Sequence, residues 1–203
     1  MHIHAISWGL RAAASVLLAG VAACGDLTTP GEATLATAEL LPLALQATAP
    51  APTSSSFVVA NDRTTIRQVL HPDAFNTPYV VLTFPGGSLA SLDGTSLGAG
   101  DSVTIVIQPE AGLYGFTLSP QGLAFAAADL PSARLSYGQY GDLSVAGQSS
   151  AYDSRLDYAA ALSLWFEISP GRWRRIAGSG ASGVDAVEGS LGEPGTYWVA
   201  APR

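Results

Sequence analysis

Few side chains in this 203-residue sequence could act as nucleophiles, metal ligands or phosphate anchors. All nine basic residues are arginines, the sole cysteine is Cys24, and the histidines are His2, His4 and His71. Without lysine the chain cannot form a Walker-type phosphate loop, a Schiff base or a Ser–Lys dyad. A single cysteine excludes an intrachain disulfide and any multi-cysteine zinc site. We therefore expect no cofactor and no metal site.

The remaining catalytic arrangements lack a supporting motif. His71 would be the base of a Ser-His-Asp site, but it stands beside Pro72 and is predicted to be a solvated turn residue. Residues 180–184, Gly-Ala-Ser-Gly-Val, begin like the nucleophile elbow of hydrolases, yet valine replaces the last glycine, which favours a glycine-rich loop. Sixteen acidic residues leave acid catalysis open, but no spacing pairs two of them. The sequence therefore predicts a protein that is not an enzyme.

An export signal is predicted for residues 1–23. Arg11 supplies a positive charge, and an apolar stretch of about ten residues follows, which is too short to span a bilayer. The small residues 21–23 then precede Cys24 and resemble the bacterial lipobox. That resemblance implies cleavage between Ala23 and Cys24 by signal peptidase II, and a thiol that carries diacylglycerol, with palmitate among its acyl chains. The alternative is an ordinary secretory signal cleaved nearby, with Cys24 incidental.

These features predict a lipoprotein anchored in a bacterial cell envelope. The residue after Cys24 is Gly25 and not aspartate, which resembles the pattern of enterobacterial lipoproteins sorted to the outer membrane, on its periplasmic or surface face. Cleavage removes one of nine arginines and no acid, which leaves eight against sixteen and a formal charge of −8. Because so acidic a chain repels phosphate backbones, we expect membrane lipid and an envelope protein or glycan as partners, and no nucleic acid.

Residues 24–56 have the composition of a flexible linker, rich in alanine, threonine, proline and serine. Fully extended, such a segment would reach about 100 Å. The apolar stretch at residues 40–45 is the exception and is expected to dock on the domain with partial order. The domain itself is predicted at residues 57–203.

From Phe57 onward apolar residues alternate with polar ones, which is typical of strands that bury one face. The clearest alternations lie in residues 102–107, 113–118, 133–137 and 162–168, with further strands predicted at 64–70, 79–84 and 196–200. Glycine and proline turns separate them, and no long helical pattern intervenes. The sequence thus predicts an all-β fold, an antiparallel β-sandwich that follows a signal peptide and a flexible linker.

A hairpin is predicted at residues 170–171, because Pro-Gly suits the centre of a tight turn. Pairing Ile168 with Trp173 would place Glu167 opposite Arg174 as an ion pair. The same register sets another arginine opposite an inward phenylalanine, so we expect a β-bulge near Arg174. The arginines of the second strand are predicted to solubilise a sheet edge.

Three stretches of the predicted domain carry a family pattern, namely residues 81–89, which contain a Pro-Gly turn, residues 114–137, which contain Pro-Gln-Gly-Leu-Ala-Phe, and the closing strands at 162–166, 173–176 and 197–199. Together they resemble a domain shared by zona-occludens proteins, netrin receptors and ankyrins, which also occurs in exported bacterial proteins. The resemblance implies an antiparallel β-sandwich that serves as a structural or protein-interaction module without an active site. Some relatives cleave themselves at His-Phe-Ser before the last strand, and Glu-Pro-Gly-Thr at residues 193–196 implies that this activity is lost.

Aromatic residues mark the candidate ligand or interface site. Trp165 falls on the face opposite the inward residues of its strand, so it is either exposed at an interface or packed beneath the long loop or the linker. Tyr140, Tyr152 and Tyr158 lie in the polar segment 138–158, where aromatic rings could stack on a sugar and carboxylates could bind calcium. The sequence leaves a structural or protein-interaction module and a carbohydrate-binding module as alternatives.

Overall fold

Antiparallel strand pairing organises the computed structural model, which describes residues 33–203. Every strand pair there is antiparallel, so the prediction of an all-β fold is confirmed. The predicted signal peptide, its cleavage site after Ala23 and the lipid site Cys24 lie outside the described residues.

Short strands make up most of this part of the chain, with three short helices between them. The strands are β1 Thr34–Ala36, β2 Leu40–Pro42, β3 Ala44–Leu45, β4 Ser55–Ala60, β5 Thr65–Leu70, β6 Pro78–Phe84, β7 Leu89–Leu92, β8 Thr95–Ser96, β9 Ser102–Pro109, β10 Gly115–Ser119, β11 Leu123–Phe125, β12 Ser132–Ser136, β13 Gly141–Asp142, β14 Ser163–Ser169, β15 Arg172–Arg175, β16 Gly180–Ala181, β17 Ala186–Ser190 and β18 Thr196–Pro202. The helices in residues 33–203 are the 3₁₀ turns Thr37–Glu39 and Leu143–Gln148 and the α-helix α1, Arg155–Ala161.

Two sheets form the layers of the sandwich. The larger has the strand order β1-β15-β14-β18-β10-β9-β4, with β2 also paired to β18, and the smaller has the order β16-β17-β12-β6-β5. Their inward side chains share one apolar core, in which Phe57 of β4 packs on Phe84 of β6 with ring centroids 5.9 Å apart. Two minor sheets, β11-β7-β8 and β13-β3, complete the fold.

The predicted alternation of buried and exposed residues holds in β9, which buries every second residue from Val103 to Ile107. In β14 the inward residues Leu164 and Phe166 are buried as predicted, but their neighbours Ser163 and Trp165 are buried as well. Ile168 is 44 % exposed because a β-bulge ends the alternation there. Inner faces are therefore readable from the sequence up to such an irregularity.

The hairpin forms at the predicted turn, but its register differs by one residue. Trp173 pairs with Glu167 and not with Ile168, and Arg174 pairs with Phe166. The bulge expected near Arg174 forms between Glu167 and Ser169, opposite Trp173 and Arg172. Because side chains alternate between faces, this register places Trp173 on the outer face of the larger sheet, where other tryptophans lie. Ile168 becomes the extra residue of the bulge.

The predicted linker is wrong for residues 34–45, which we call the N-terminal segment, whereas the docking expected of residues 40–45 is confirmed. In this segment β1 pairs with β15, β2 with β18 and β3 with β13. Leu41 and Leu43 are buried in the main core, and Leu40 is buried in a second cluster on the outer face of the larger sheet. The composition of residues 24–56 did not indicate strands, because only one apolar stretch lies among linker-like residues. Burial of that stretch stabilises the fold by removing apolar area from water. The folded domain therefore includes β1, β2 and β3 and does not begin at residue 57.

Asn61 connects the turn between β4 and β5 to the start of β7 through hydrogen bonds. Its side chain is 6 % exposed, and its amide nitrogen Nδ2 donates to the carbonyl of Leu89 at 2.9 Å. Its Oδ1 accepts from the Leu89 amide at 3.0 Å, so one side chain satisfies both backbone groups of a buried residue. Its own backbone carbonyl accepts from Gly87 at 2.7 Å. The Asn61 side chain thus supplies the two hydrogen bonds that the backbone of a neighbouring strand would otherwise make to Leu89.

We expect the Leu40→Ala and Leu41→Ala substitutions each to lower the free energy of unfolding by about 2–4 kcal/mol, because each removes a buried side chain from a packed cluster. Urea denaturation of the purified chain measures this change. The matched control is Leu156→Ala, since Leu156 is 78 % exposed on α1 and should change stability by less than about 0.5 kcal/mol. Equal, small effects at all three positions would mean that the N-terminal segment is a linker after all.

The Asn61→Ala substitution should cost about 2–4 kcal/mol of unfolding free energy, because it leaves the buried amide and carbonyl of Leu89 without partners. Denaturation midpoints of the variant and the parent give the value. Gln68→Ala is the control, since Gln68 is an exposed amide on β5 with no side-chain hydrogen bond to any other residue of 33–203. A loss at Asn61 no larger than that at Gln68 would contradict this role.

Candidate functional site

Trp165, the strongest sequence candidate for an exposed ligand surface, is fully buried. Its indole nitrogen Nε1 donates to the carbonyl of Ala200 at 3.0 Å, and its ring clusters with Leu40 and Trp173. Of the two alternatives for this residue, packing beneath the predicted linker is the one that the structure supports. A stacking role for Trp165 against a sugar is contradicted, because its ring has no exposed face.

Two further tryptophans extend the cluster across the outer face of the larger sheet. Trp173 stacks on Trp198 with ring centroids 4.0 Å apart, and its Nε1 donates to Oγ1 of Thr37 at 2.8 Å. Gly115 makes room for Trp198, because a Cβ at residue 115 would lie 2.7 Å from Cδ1 of that ring and 2.5 Å from the Tyr197 carbonyl oxygen. The tryptophans therefore form a second layer of packing and not a binding surface.

Tyr152 and Tyr158 hold the segment 138–158 onto the sandwich. The fully buried hydroxyl of Tyr158 donates to the carbonyl of Leu41 at 3.1 Å. The hydroxyl of Tyr152 donates to the carbonyl of Pro202 at 2.5 Å. Burial raises the pKa of both phenols above its ordinary value. The hydroxyls of both tyrosines are thus hydrogen-bonded to backbone carbonyls near the two ends of the described chain.

Tyr140 belongs to a polar cluster at the β5–β6 hairpin. Its hydroxyl donates to Oδ2 of Asp73 at 2.8 Å, and Oγ1 of Thr77 donates to the same oxygen at 2.5 Å. The backbone amide of Thr77 donates to Oδ1 of Asp73 at 3.0 Å. These hydrogen bonds, those from Thr77 foremost, hold the pKa of Asp73 well below its ordinary value of 3.8. The bond to Asp73 in turn raises the pKa of Tyr140.

His71 is buried, so the prediction of a solvated turn residue is wrong. Its ring packs 4.6 Å from that of Tyr140 and 5.4 Å from that of Tyr79, measured between centroids. Its Nδ1 lies 2.7 Å from the carbonyl of Pro50 and must be the donor, because a carbonyl only accepts. Within residues 33–203 its Nε2 and the hydroxyl of Tyr114 have no hydrogen-bond partner. In the described part of the chain the His71 ring is not hydrogen-bonded to a serine or an aspartate side chain, as the histidine of a Ser-His-Asp triad would be.

A groove of about 550 Å³ runs beside Arg174. Phe125, Phe166, Glu167 and Glu193 are among the residues that line it. Arg174 donates to Glu193 at 3.0 Å, and its guanidinium carbon lies 5.7 Å from the centre of the Phe166 ring. The basic side chain of the groove is therefore already paired with protein groups.

The basic cluster lies beside the point where the described chain begins. Arg172 and Arg175 are exposed and form no ion pair with any group in residues 33–203. Nε of Arg175 donates to Oγ of Ser163 at 3.0 Å. The backbone amide of Arg175 donates to the carbonyl of Ala33 at 3.0 Å, and β1 pairs along β15. The sheet edge that these arginines flank is therefore β1, with β15 one strand further in.

Side chains suited to metal binding are scattered over the described part of the chain. Within residues 33–203 no three histidine, cysteine, aspartate or glutamate side chains are grouped closely enough to hold a metal ion. In the same range no helix combines the length and the apolar character that crossing a bilayer requires.

The strand pairing and the shared core define the class of the protein as an all-β sandwich. Comparison of the chain with family models, curated proteins and solved structures gave no match. The resemblance to the domain of zona-occludens proteins, netrin receptors and ankyrins therefore stays a prediction.

The Asp73→Asn substitution tests the hairpin cluster by its pH dependence. Because the folded pKa of Asp73 lies below its ordinary value, its carboxylate stabilises the fold above about pH 4, and this stabilisation is lost as the pH falls toward the folded pKa. The variant should thus be less stable than the parent at pH 7, and the difference should shrink below pH 4. Urea denaturation between pH 7 and pH 2 measures both.

The control for that series is Asp153→Asn. Asp153 is exposed and makes no side-chain hydrogen bond within residues 33–203. Its substitution should leave the stability curve parallel to that of the parent. A difference between parent and Asp73→Asn that stays constant from pH 7 to pH 2 would show that the charge of Asp73 does not stabilise the fold.

Proposed function

We propose that this chain is an exported bacterial lipoprotein whose β-sandwich has a structural or protein-interaction role and no catalytic activity. Signal peptidase II cleaves before Cys24, whose thiol carries diacylglycerol, and the acyl chains hold the domain at the cell envelope. The outer membrane is the proposed location.

The N-terminal sequence supports the anchor. A positive charge, a short apolar stretch and the small residues 21–23 lead directly to the one cysteine of the chain. A lone free thiol at the start of an exported chain is otherwise unusual, because oxidising compartments favour paired cysteines. Each acyl chain adds about 0.8 kcal/mol of membrane affinity per buried methylene, so two or three chains bind firmly.

The non-catalytic role is supported by the hydrogen bonds that the candidate side chains make within the protein. Trp165 and Tyr158 donate to backbone carbonyls from buried positions, Tyr152 donates to the last strand, and Tyr140 holds the carboxylate of Asp73. The indole nitrogen and phenolic hydroxyls of these four candidates are thus bonded to the protein itself. This distribution supports a scaffold, in which recognition falls to the outer surface of the sandwich.

The carbohydrate-binding alternative has lost its basis. It required Trp165 and the tyrosines of segment 138–158 to present open ring faces, as sugar stacking demands. Trp165 and Tyr158 are fully buried, and Tyr152 and Tyr140 are only partly exposed and fix their own segment.

Palmitate labelling of the Cys24→Ala variant tests the proposal. We expect the parent chain expressed in a bacterial host to incorporate labelled palmitate and to float with membranes, and the variant to do neither, because the substitution removes the only thiol. Gly25→Ala is the matched control, since it alters the neighbouring residue and keeps the thiol. Label that persists in Cys24→Ala, or an unlipidated mature chain cleaved elsewhere, would refute the anchor.

A further inference from the structure

The distance between the proposed lipid site and the folded domain is short. Strand β1 begins at Thr34, and the pairing of β1 with β15 fixes its place at one edge of the larger sheet. Nine residues separate Thr34 from Cys24 in the sequence. At most about 3.5 Å of chain per residue can be spanned, so Thr34 lies within about 35 Å of the lipidated cysteine. A linker up to residue 56 would have allowed about three times that reach.

We propose that the edge formed by β1 and β15 faces the lipid bilayer, and that Arg172 and Arg175 contact anionic headgroups there. This inference rests on the proposed lipid anchor at Cys24. The occupant of the surface is the lipid of the membrane that holds the acyl chains, and not a second protein.

The tether limits how far the β1 edge can lie from the membrane. β1 and β4 are the two edge strands of the larger sheet, six strand spacings apart, or about 29 Å at the usual spacing. Strand β5 of the smaller sheet lies on the β4 side, where Arg67 of β5 stands 5.9 Å from the ring centre of Phe57. A chain attached at β1 keeps that edge within about 35 Å of the bilayer, and with this edge toward the lipid, β4 and β5 lie about 29 Å further out.

The charges of the two sides agree with this orientation. The β1–β15 edge and its hairpin carry Arg172, Arg174 and Arg175 against Glu39, Glu167 and Glu193. The tether adds Asp26 and Glu32, and the rest of the mature chain has five arginines against eleven acids. An anionic surface therefore repels this edge least.

The positions of the acids leave two arginines available for lipid. Glu193 is paired with Arg174, and Glu39 accepts the Ala36 amide at 2.7 Å. Arg172 and Arg175 are exposed without an ion pair in the described part of the chain. Guanidinium groups bind phosphate oxygens through paired hydrogen bonds, so anionic phospholipid headgroups suit them.

Spin-label relaxation by a membrane-bound metal tests the orientation on the full lipidated chain. A nitroxide is attached to a new cysteine at Ala38→Cys, in the 3₁₀ turn after β1, or at Thr64→Cys, just before β5; both positions are exposed. The acylated Cys24 leaves the new thiol as the only reactive one. The protein is reconstituted in phosphatidylcholine–phosphatidylglycerol vesicles that contain a lipid with a nickel-chelating headgroup. We expect several-fold stronger relaxation at residue 38 than at residue 64.

Equal relaxation at the two labels, or stronger relaxation at residue 64, would overturn the proposed orientation. Failure of the anchor itself is seen separately, because an unlipidated chain does not float with the vesicles in a density gradient before any label is measured. The two failures are therefore distinguishable in one preparation.

The double substitution Arg172→Gln/Arg175→Gln tests the headgroup contact. It should lower the relaxation at residue 38 in vesicles with phosphatidylglycerol and have little effect in vesicles that contain only phosphatidylcholine and the nickel-chelating lipid. The control Arg63→Gln/Arg155→Gln removes the same charge from two other exposed positions and should leave the relaxation unchanged. If both double variants behave alike, the arginines of β15 do not bind lipid and this part of the proposal is wrong.

Discussion

Three tryptophans on the outer face of the larger sheet impose the constraint on which the rest of the structure depends. The outer face of an antiparallel sandwich often faces water, but Trp165, Trp173 and Trp198 would each expose an aromatic surface of about 150–250 Å² there. Leu40 and the 3₁₀ turn before it close over this cluster. The N-terminal segment is thereby part of the fold, and β1 is held at one edge of the larger sheet.

The N-terminal segment adds a layer over the outer face of the larger sheet. The register of the β14–β15 hairpin follows from it, because a shift by one residue would turn Trp173 inward and leave its place beside Trp198 empty. The bulge that exposes Ile168 is the local adjustment that permits this register. Gly115 of β10 is paired with Trp198 of β18, and any side chain at residue 115 would collide with the Trp198 ring.

The sequence predicted what is local and missed what depends on distant partners. Alternation located the inner faces of β9 and β14, because burial on one face repeats every second residue. It could not reveal that Leu40 covers Trp165, since no local pattern tells whether an outer face is itself covered. For the candidate site, Tyr152 and Tyr158 were recognisable as aromatic, but their acceptors lie in the distant strands β18 and β2. Pro72 indicated a turn at His71, yet the hairpin pairing continues there through the His71 amide and the Thr77 carbonyl.

Strand β18 lies between β14 and β10 in the interior of the larger sheet, although it is the last strand of the chain. One of its partners, β2, comes from the beginning of the domain, so the final strand is also what the N-terminal segment pairs with. Leu40 of β2 and Pro202 of β18 are partners although most of the described sequence lies between them. The larger sheet is therefore complete only after segments that are distant in the sequence have met, which makes its closure a non-local step of folding.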